Sequence, residues 1–250
     1  MSVVLETTLG DIVVDLYHEE RPVACKNFLY LCEMKYYNFC LFHSVQTNFI
    51  AQTGDPTGTG RGGESVYRQL YGEQAKYFDM EKKPLIIHRK RGTLAMVING
   101  NDQHGSRFFF TLSSNLDSLD GIHTIFGEIV DGWDVLDKIN IAVVDKDYRP
   151  YHDIRIIHTV IISNPFETPS SLDVPARSPS PTIERIQSSM IGFDELFDED
   201  RIQGKTDEEI KDYIEEKEAQ ARAQILELIG DLPEVCCVVR NFELIIKFKF

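Results

Sequence analysis

The chain is poor in cysteine, in positive charge and in long apolar runs, and each shortage closes off a class of protein. Its five cysteines, Cys25, Cys32, Cys40, Cys236 and Cys237, form an odd set without metal-ligand spacing. That argues against a disulfide framework or a thiolate metal site and points to reduced thiols in a cytosolic or nuclear protein. No stretch approaches the roughly 20 apolar residues of a membrane span, so no membrane association is expected. The opening MSVVLETTLGDIVVDLY lacks the basic start and unbroken apolar stretch of a signal peptide, so no secretory targeting is expected. Lys and Arg number 26 against 40 Asp and Glu, a formal net charge of -14. Such a balance argues against non-specific affinity for nucleic acid.

What is present, 42% hydrophobic and 26% charged residues, is the composition of a soluble globular protein. A length of 250 residues accommodates one good-sized domain with extensions, or two small ones. The charge is uneven. Residues 1–164 hold 16 Lys and Arg against 21 Asp and Glu, whereas the rest hold 10 against 19, so the tail is the acidic part.

Residues 3–6 and 11–17 alternate or cluster apolar side chains around Leu9-Gly10, which predicts an opening β-hairpin. A helical pattern starts at Pro22, a residue suited to a first turn, and places Val23, Phe28, Leu29 and Leu31 on one face. Strands are predicted over 41–45, 48–52, 92–98, 108–112, 125–130 and 154–162, with a short helix over 132–139. From 54 to 63 the chain reads GDPTGTGRGG, five glycines in ten residues, a loop whose backbone a ligand can approach closely. A phosphate-cradling loop is the alternative; no Lys-Ser/Thr follows and no helix clearly opens there. Lys82, Lys83, His88, Arg89, Lys90 and Arg91 form the concentrated basic stretch, read as a solvated strand and turn in preference to a nucleic-acid patch. Many short strands with two helices make the fold class mostly β, a closed antiparallel barrel capped by two helices.

That barrel is expected over 1–164. Beyond it NPFETPSSLDVPARSPSPT holds five prolines among serines, so 165–205 is expected to be an acidic Pro/Ser-rich linker without packed structure. Ser178 and Ser180 each precede proline and suit a proline-directed kinase, although an ordinary linker accounts for them as well. Thr206 and Glu209 form a capping box that opens an acidic helix over 206–230, stopping at Gly230. Its apolar stripe is broken at Lys217 and Gln224, so a solvated or partner-docked single helix is expected. Residues 231–250 make an atypical apolar, β-prone terminus, an aggregation hazard if exposed.

Five motifs follow one another in a specific order. They are FH at Phe42-His43, F-x-x-Q-x-GD from Phe49, the glycine-rich loop, GS-x-FF from Gly105, and LDG-x-H-x-x-FG from Leu119. In that order, from residue 2 to about 163, the chain resembles the cyclophilins, β-barrels that bind proline-containing peptides and turn over the X–Pro bond. Such a bond prefers trans by only about 0.5–1 kcal/mol, yet isomerises in roughly 10–100 s. Speeding it needs no nucleophile and no cofactor, so no cofactor and no metal are expected. It needs an apolar socket that holds the amide twisted, and a hydrogen-bond donor near the prolyl nitrogen.

Carried onto this chain, the resemblance implies Phe49 and Phe109 as the pocket floor, with Ile50 standing where the family has methionine. It implies Gln52 as the group that orients the peptide backbone, and Leu119 and His123 as the rim. Val97, Ile98 and Asn99 fall on the edge that pairs with the substrate chain, where the family more often has Ala-Asn-Ala. Each also has a plainer reading: Phe49, Ile50 and Phe109 as barrel core, Gln52 as a backbone partner, and His43 as a packed structural histidine. The departures matter more. Ser44 replaces the arginine whose guanidinium meets the prolyl group, Arg107 stands where glutamine is usual, and Ser118 falls near a rim tryptophan. Taken as a neighbour of Phe109, Arg107 is expected on the opposite face of its strand. Weak or absent isomerase activity with retained proline-peptide binding is the expectation.

Within the family, ETTLGDIVVDLY, GDPTGTGRGGES, DQHGS, VDKDYRPYHDIRI and the helix ending in ELIGDLPE resemble the nuclear peptidyl-prolyl isomerase-like 4 type, over about residues 1–234. That type continues into an RNA-recognition motif and is associated with pre-mRNA processing. The resemblance implies a nuclear protein with proline-containing protein segments as partners, spliceosomal proteins being one source of them; a monomer is expected. Residues 235–250 carry no RNP-like aromatic pattern, so direct RNA binding is not expected of this chain.

Overall fold

The computed structural model describes residues 1–175. These belong to the first of two units, Met1–Ser189, and the second runs over Met190–Phe250. Ser178, Ser180, the rest of the expected linker, the helix expected over 206–230 and the apolar terminus lie outside the described residues.

Strands β1 (Ser2–Thr7) and β2 (Gly10–Leu16) form the expected hairpin, with Val3, Leu5, Ile12, Val14 and Leu16 buried on alternate positions. Gly10 is required at the turn. Its φ is +127°, and an added Cβ would lie 2.8 Å from Val135 Cγ2. Helix α1 (Pro22–Glu33) buries Ala24, Cys25, Phe28, Leu29, Leu31 and Cys32. Val23, expected on that face, is exposed, because the buried stripe runs one residue round from it. The helix start has no local cap; Glu81 reaches in and accepts the Val23 and Ala24 amides at 3.1 and 2.9 Å.

The remaining strands are β3 (Ser44–Gln46), β4 (Ile50–Thr53), β5 (Phe78–Asp79), β6 (Thr93–Ile98), β7 (Gln103–Thr111), β8 (Ile125–Asp131) and β9 (Ile156–Ile161). Helix α2 (Tyr67–Tyr71) and β5 had no clear sequence signal, and α3 (Trp133–Asn140) is the short helix that was expected. The sheet is antiparallel with order β3-β4-β7-β6-β8-β2-β1-β9, and β5 pairs with β7. Its ends meet through a short seam in place of a full ladder. Leu41 bridges Arg155, Phe42 donates to the Ile154 carbonyl at 2.8 Å, and Ile156 donates to Cys40 at 2.9 Å. Helix α1 lies against β7 and β9, and α3 against β2 and β3.

The interior is dominated by aromatic rings. Phe28 lies 5.3 Å from Tyr37, Phe108 and Phe126, and the Tyr37 hydroxyl donates to the Ser106 carbonyl at 2.9 Å. Asn27, fully buried, has both ends of its amide used: it donates to Gly105 and accepts from the Val66 amide. Cys25, Cys32 and Cys40 are buried and reduced, and burial raises the pKa of Cys25 and Cys32.

The segment from 164 differs from the expected unpacked linker. Asn164, Phe166 and Thr168 lie along α1, and Leu172 is buried against the core. Its apolar residues are spaced among prolines and serines, so composition concealed that they dock.

The basic stretch is largely neutralised by neighbours. Lys82 pairs with Asp102, Lys90 with Glu128 and Arg91 with Asp137. The paired lysines and arginines match a solvated surface, in which such pairs contribute little to stability, but the stretch forms no strand and its His88 is buried.

His104 is fully buried, its Nδ1–H donating to the Val97 carbonyl at 3.2 Å while Nε2 accepts from Thr124 Oγ1 at 2.8 Å. Burial pushes its pKa from 6.5 down to about 4. The folded state therefore binds fewer protons than the unfolded state between these values. The stability this contributes is present above pH 6.5 and is lost as pH falls towards 4. The loss expected from His104 is about 3 kcal/mol. Urea unfolding across that window should show it, and a His104→Gln variant should have a flatter profile. An unchanged slope in the variant would place the effect elsewhere.

Candidate active site

Strand β7 carries three phenylalanines in a row, and the pleat separates them. Phe108 and Phe110 point into the main core. Phe109 points to the other face and joins Ile50, Ala95, Val97, Leu119 and Ile125 in a second, smaller buried cluster. Phe49, Tyr17, Ile86 and Leu116 pack against its margin.

Register decides the neighbours of Phe109. Across β3, β4, β7, β6 and β8, Ser44 stands opposite Gln52, Gln52 opposite Phe109, Phe109 opposite Ala95, and Ala95 opposite Ile125. Opposed residues share a face of the sheet, so these side chains form one row. Ser44 ends that row, beside Gln52 and two strands from Phe109.

Two histidines hold the Phe109 ring. His88 stacks on it with centroids 6.0 Å apart, and His123 meets it edge-on at 5.0 Å. The His88 backbone amide and Nδ1–H both donate to Asp120 Oδ1, at 2.7 and 2.8 Å. Its Nε2 is buried with no hydrogen-bond partner. A proton there would be stranded, and burial lowers the His88 pKa while Asp120 partly opposes it. The contact with Asp120 is thus a neutral histidine's hydrogen bond. His123 donates from Nδ1 to the Met96 carbonyl at 3.1 Å, and burial lowers its pKa too. Leu119 ends the Asp117–Leu119 turn, and the Leu116 amide donates to the His88 carbonyl at 3.0 Å, tying the rim to the segment behind it.

Three expected substrate contacts stand outside the buried cluster. Arg107 stands two positions from Phe109, so period two puts it on the same face, not the opposite one. Its guanidinium donates to the Gly60 carbonyl and lies beside His43, the pKa of which is lowered by burial and by Arg107. Ile98 joins neither buried cluster. Asn99 is occupied by the β6–β7 turn: its amide donates to Gln103, and Oδ1 accepts from Asn101 and Gln103.

The glycine-rich loop arches over His43. Gly60 has φ +77°, and an added Cβ would lie 2.8 Å from His43 Cδ2. Asp55 fills the loop: its carboxylate accepts from the Thr57 amide and hydroxyl at 2.8 and 2.7 Å, and from the Gly62 amide at 3.0 Å. Burial pushes its pKa up, but those hydrogen bonds together outweigh burial and hold it below the usual value. The loop already encloses an anion of its own, which removes the phosphate-cradle alternative. Among the described residues, no group of three His, Cys, Asp or Glu is placed to hold a metal.

Residues 2–161 match the family described as cyclophilin type peptidyl-prolyl cis-trans isomerase/CLD. The chain is a cyclophilin. It is 58% identical over 234 residues to human peptidyl-prolyl cis-trans isomerase-like 4, covering 94% of this chain and 47% of the relative. With peptidyl-prolyl cis-trans isomerase sig-7 of Caenorhabditis elegans the identity is 49% over 235 residues, 94% of this chain and 55% of the other. The chain thus spans about half the length of these curated relatives. A Cryptosporidium parvum cyclophilin-type isomerase, crystallised in the presence of the dipeptide Ala-Pro, superposes with TM-score 0.60 at 39% identity, covering 66% of this chain and all of that one.

In this cyclophilin the expected residues Phe49, Ile50, Val97, Phe109, Leu119 and His123 do come together, joined by Ala95, Ile125, His88 and Asp120, which the sequence does not single out. Ala95 and Ile125 were readable from alternation along β6 and β8. His88 was hidden in the run HRKR, which reads as surface charge. Asp120→Ala leaves two buried donors of His88 without an acceptor, and a loss of about 1–3 kcal/mol is expected by urea unfolding. Asp120→Asn, which keeps a carbonyl acceptor, should retain most of that stability. Equal losses in both would show that the negative charge matters more than the hydrogen bonds.

Proposed function

We propose that this cyclophilin domain binds X–Pro segments of proteins at the cluster around Phe109 and isomerises them slowly. The observation that carries the reading is the row Ser44–Gln52–Phe109. An apolar floor and an orienting amide are side by side, as an X–Pro amide requires, but the position beside Gln52 bears a short hydroxyl where a cation would serve. Removing one transition-state donor typically costs about 10²–10³ in rate. The Cryptosporidium relative crystallised with Ala-Pro supports proline as the chemistry of the site.

A second reading, a catalytically inactive proline-binding scaffold, is favoured by the engagement of Arg107 with Gly60, which occupies the neighbouring cation. A nuclear setting, with spliceosomal proteins as partners in pre-mRNA processing, rests on the subfamily resemblance. Exchange spectroscopy on X–Pro peptides with the full chain tests both readings. Saturable shifts with weakly accelerated cis/trans exchange support slow isomerisation, and shifts without acceleration support the scaffold. Exchange as fast as with an arginine-bearing cyclophilin would overturn the role given to Ser44. Absence of binding would overturn the assignment of the site.

A further inference from the structure

The strap that follows β9 is fastened to α1 mainly at one carboxylate. Glu33, the last residue of the helix, accepts from Thr168 Oγ1 at 3.0 and 2.8 Å and from Asn164 Nδ2 at 2.7 Å. The Tyr30 hydroxyl adds a bond to the Glu167 carbonyl at 3.0 Å, and Phe166 packs edge-on to His18 beneath Lys26. Thr168 is itself exposed and is followed by Pro169. An accessible Thr-Pro step therefore carries the hydroxyl that clasps the strap.

We propose that Thr168 is a phosphorylation site for a proline-directed kinase, and that its modification releases the 164–172 strap from α1. The γ-phosphoryl group of ATP passes to Thr168 Oγ1. The Oγ1–P bond forms, the bond from the γ-phosphorus to the bridging oxygen breaks, ADP leaves, and the hydroxyl proton goes to a base of the kinase. The donor that Glu33 held is then gone. In its place stands a group of charge about -1.5 to -2, facing a carboxylate. It also faces the carbonyl end of α1, whose last turn holds no basic residue. Repulsion and the lost hydrogen bonds act in the same direction. Lys26 is the cation closest to hand on the helix, set over the Phe166 ring at 4.9 Å.

The test uses the full chain carrying Ser178→Ala and Ser180→Ala, treated with a proline-directed kinase and ATP. Mass spectrometry locates the phosphate, and hydrogen exchange reads the strap. Phosphate on Thr168 should speed exchange of the Phe166 and Leu172 amides at least about tenfold, whereas Thr168→Val, which removes the hydroxyl without adding charge, should speed it less. Four results would overturn the proposal. One is an unmodified Thr168 where a peptide of residues 162–174 is phosphorylated. Another is modification with unchanged exchange. A third is slower exchange, as capture of the phosphate by Lys26 would give. The last is an effect of Thr168→Val equal to that of phosphate.

Discussion

Ser44→Arg is expected to raise kcat/KM on X–Pro peptides by about 10²–10³, the usual worth of one well-placed transition-state donor. The expectation rests on register. Ser44 lies across from Gln52, which lies across from Phe109, so a side chain at 44 rises from the same face as the ring that would floor the pocket. A serine hydroxyl stops one bond beyond Cβ, two strands short of that ring. A guanidinium spans that gap and presents several N–H donors in a fixed fork. Val45 is buried and Ser44 only half-buried, so the longer side chain has room to leave the sheet without disturbing the core. Exchange spectroscopy and a coupled peptide assay should show the gain in kcat with little change in peptide affinity. A variant that binds peptide as before yet remains as slow as the parent would show that a donor at position 44 does not set the rate. The rate would then be limited elsewhere, for instance by Arg107 holding the glycine-rich loop.

Phe109→Ala should cost about 3–5 kcal/mol of stability and remove peptide binding. The ring is 1% exposed, packed between His88 and His123, and opposed by Gln52 and Ala95 across two strands. Removing it empties the centre of the second cluster and leaves both imidazoles without their shared surface. Because Phe109 belongs to a satellite cluster, the rings of Phe28, Phe108, Phe110 and Phe126 should still hold the barrel together. Phe109→Leu separates packing from recognition: it should recover much of the stability while binding stays weak. The measurements are urea midpoints and peptide titrations on the same samples. Parental affinity in Phe109→Leu would mean the proline contacts lie away from this ring.

The hairpin, the positions of the later strands along the chain and α3 were readable because alternation and turn residues are local signals. So was the run of three phenylalanines, since a strand covered on both faces is continuously apolar. What escaped depends on residues far apart in the chain. The start of α1 is capped by Glu81, which no local window connects to Pro22. His88 acts through Asp120 and Phe109, yet it sits in a run that reads as charge. The strap beyond β9 is composed like a linker, and only the assembled core gives Phe166 and Leu172 something to pack on. Arg107 differs in kind: period two places it on the Phe109 face, and the expectation of the opposite face came from counting it as adjacent.

The seam that closes the barrel has a consequence for synthesis. β1 pairs with β9, and residues 39–42 meet 154–156, so the first strand made waits for the last. At about 5–20 residues per second, the ribosome needs several seconds or more to deliver β9 after β1 has emerged. Until then β1 and the segment around Leu41 present open edges, the form most prone to pairing with other chains. A nascent chain halted before residue 154 would hold nearly all the apolar strands of this barrel and none of the pairing that shuts it. Such truncated products are where chaperone dependence of this protein should be concentrated.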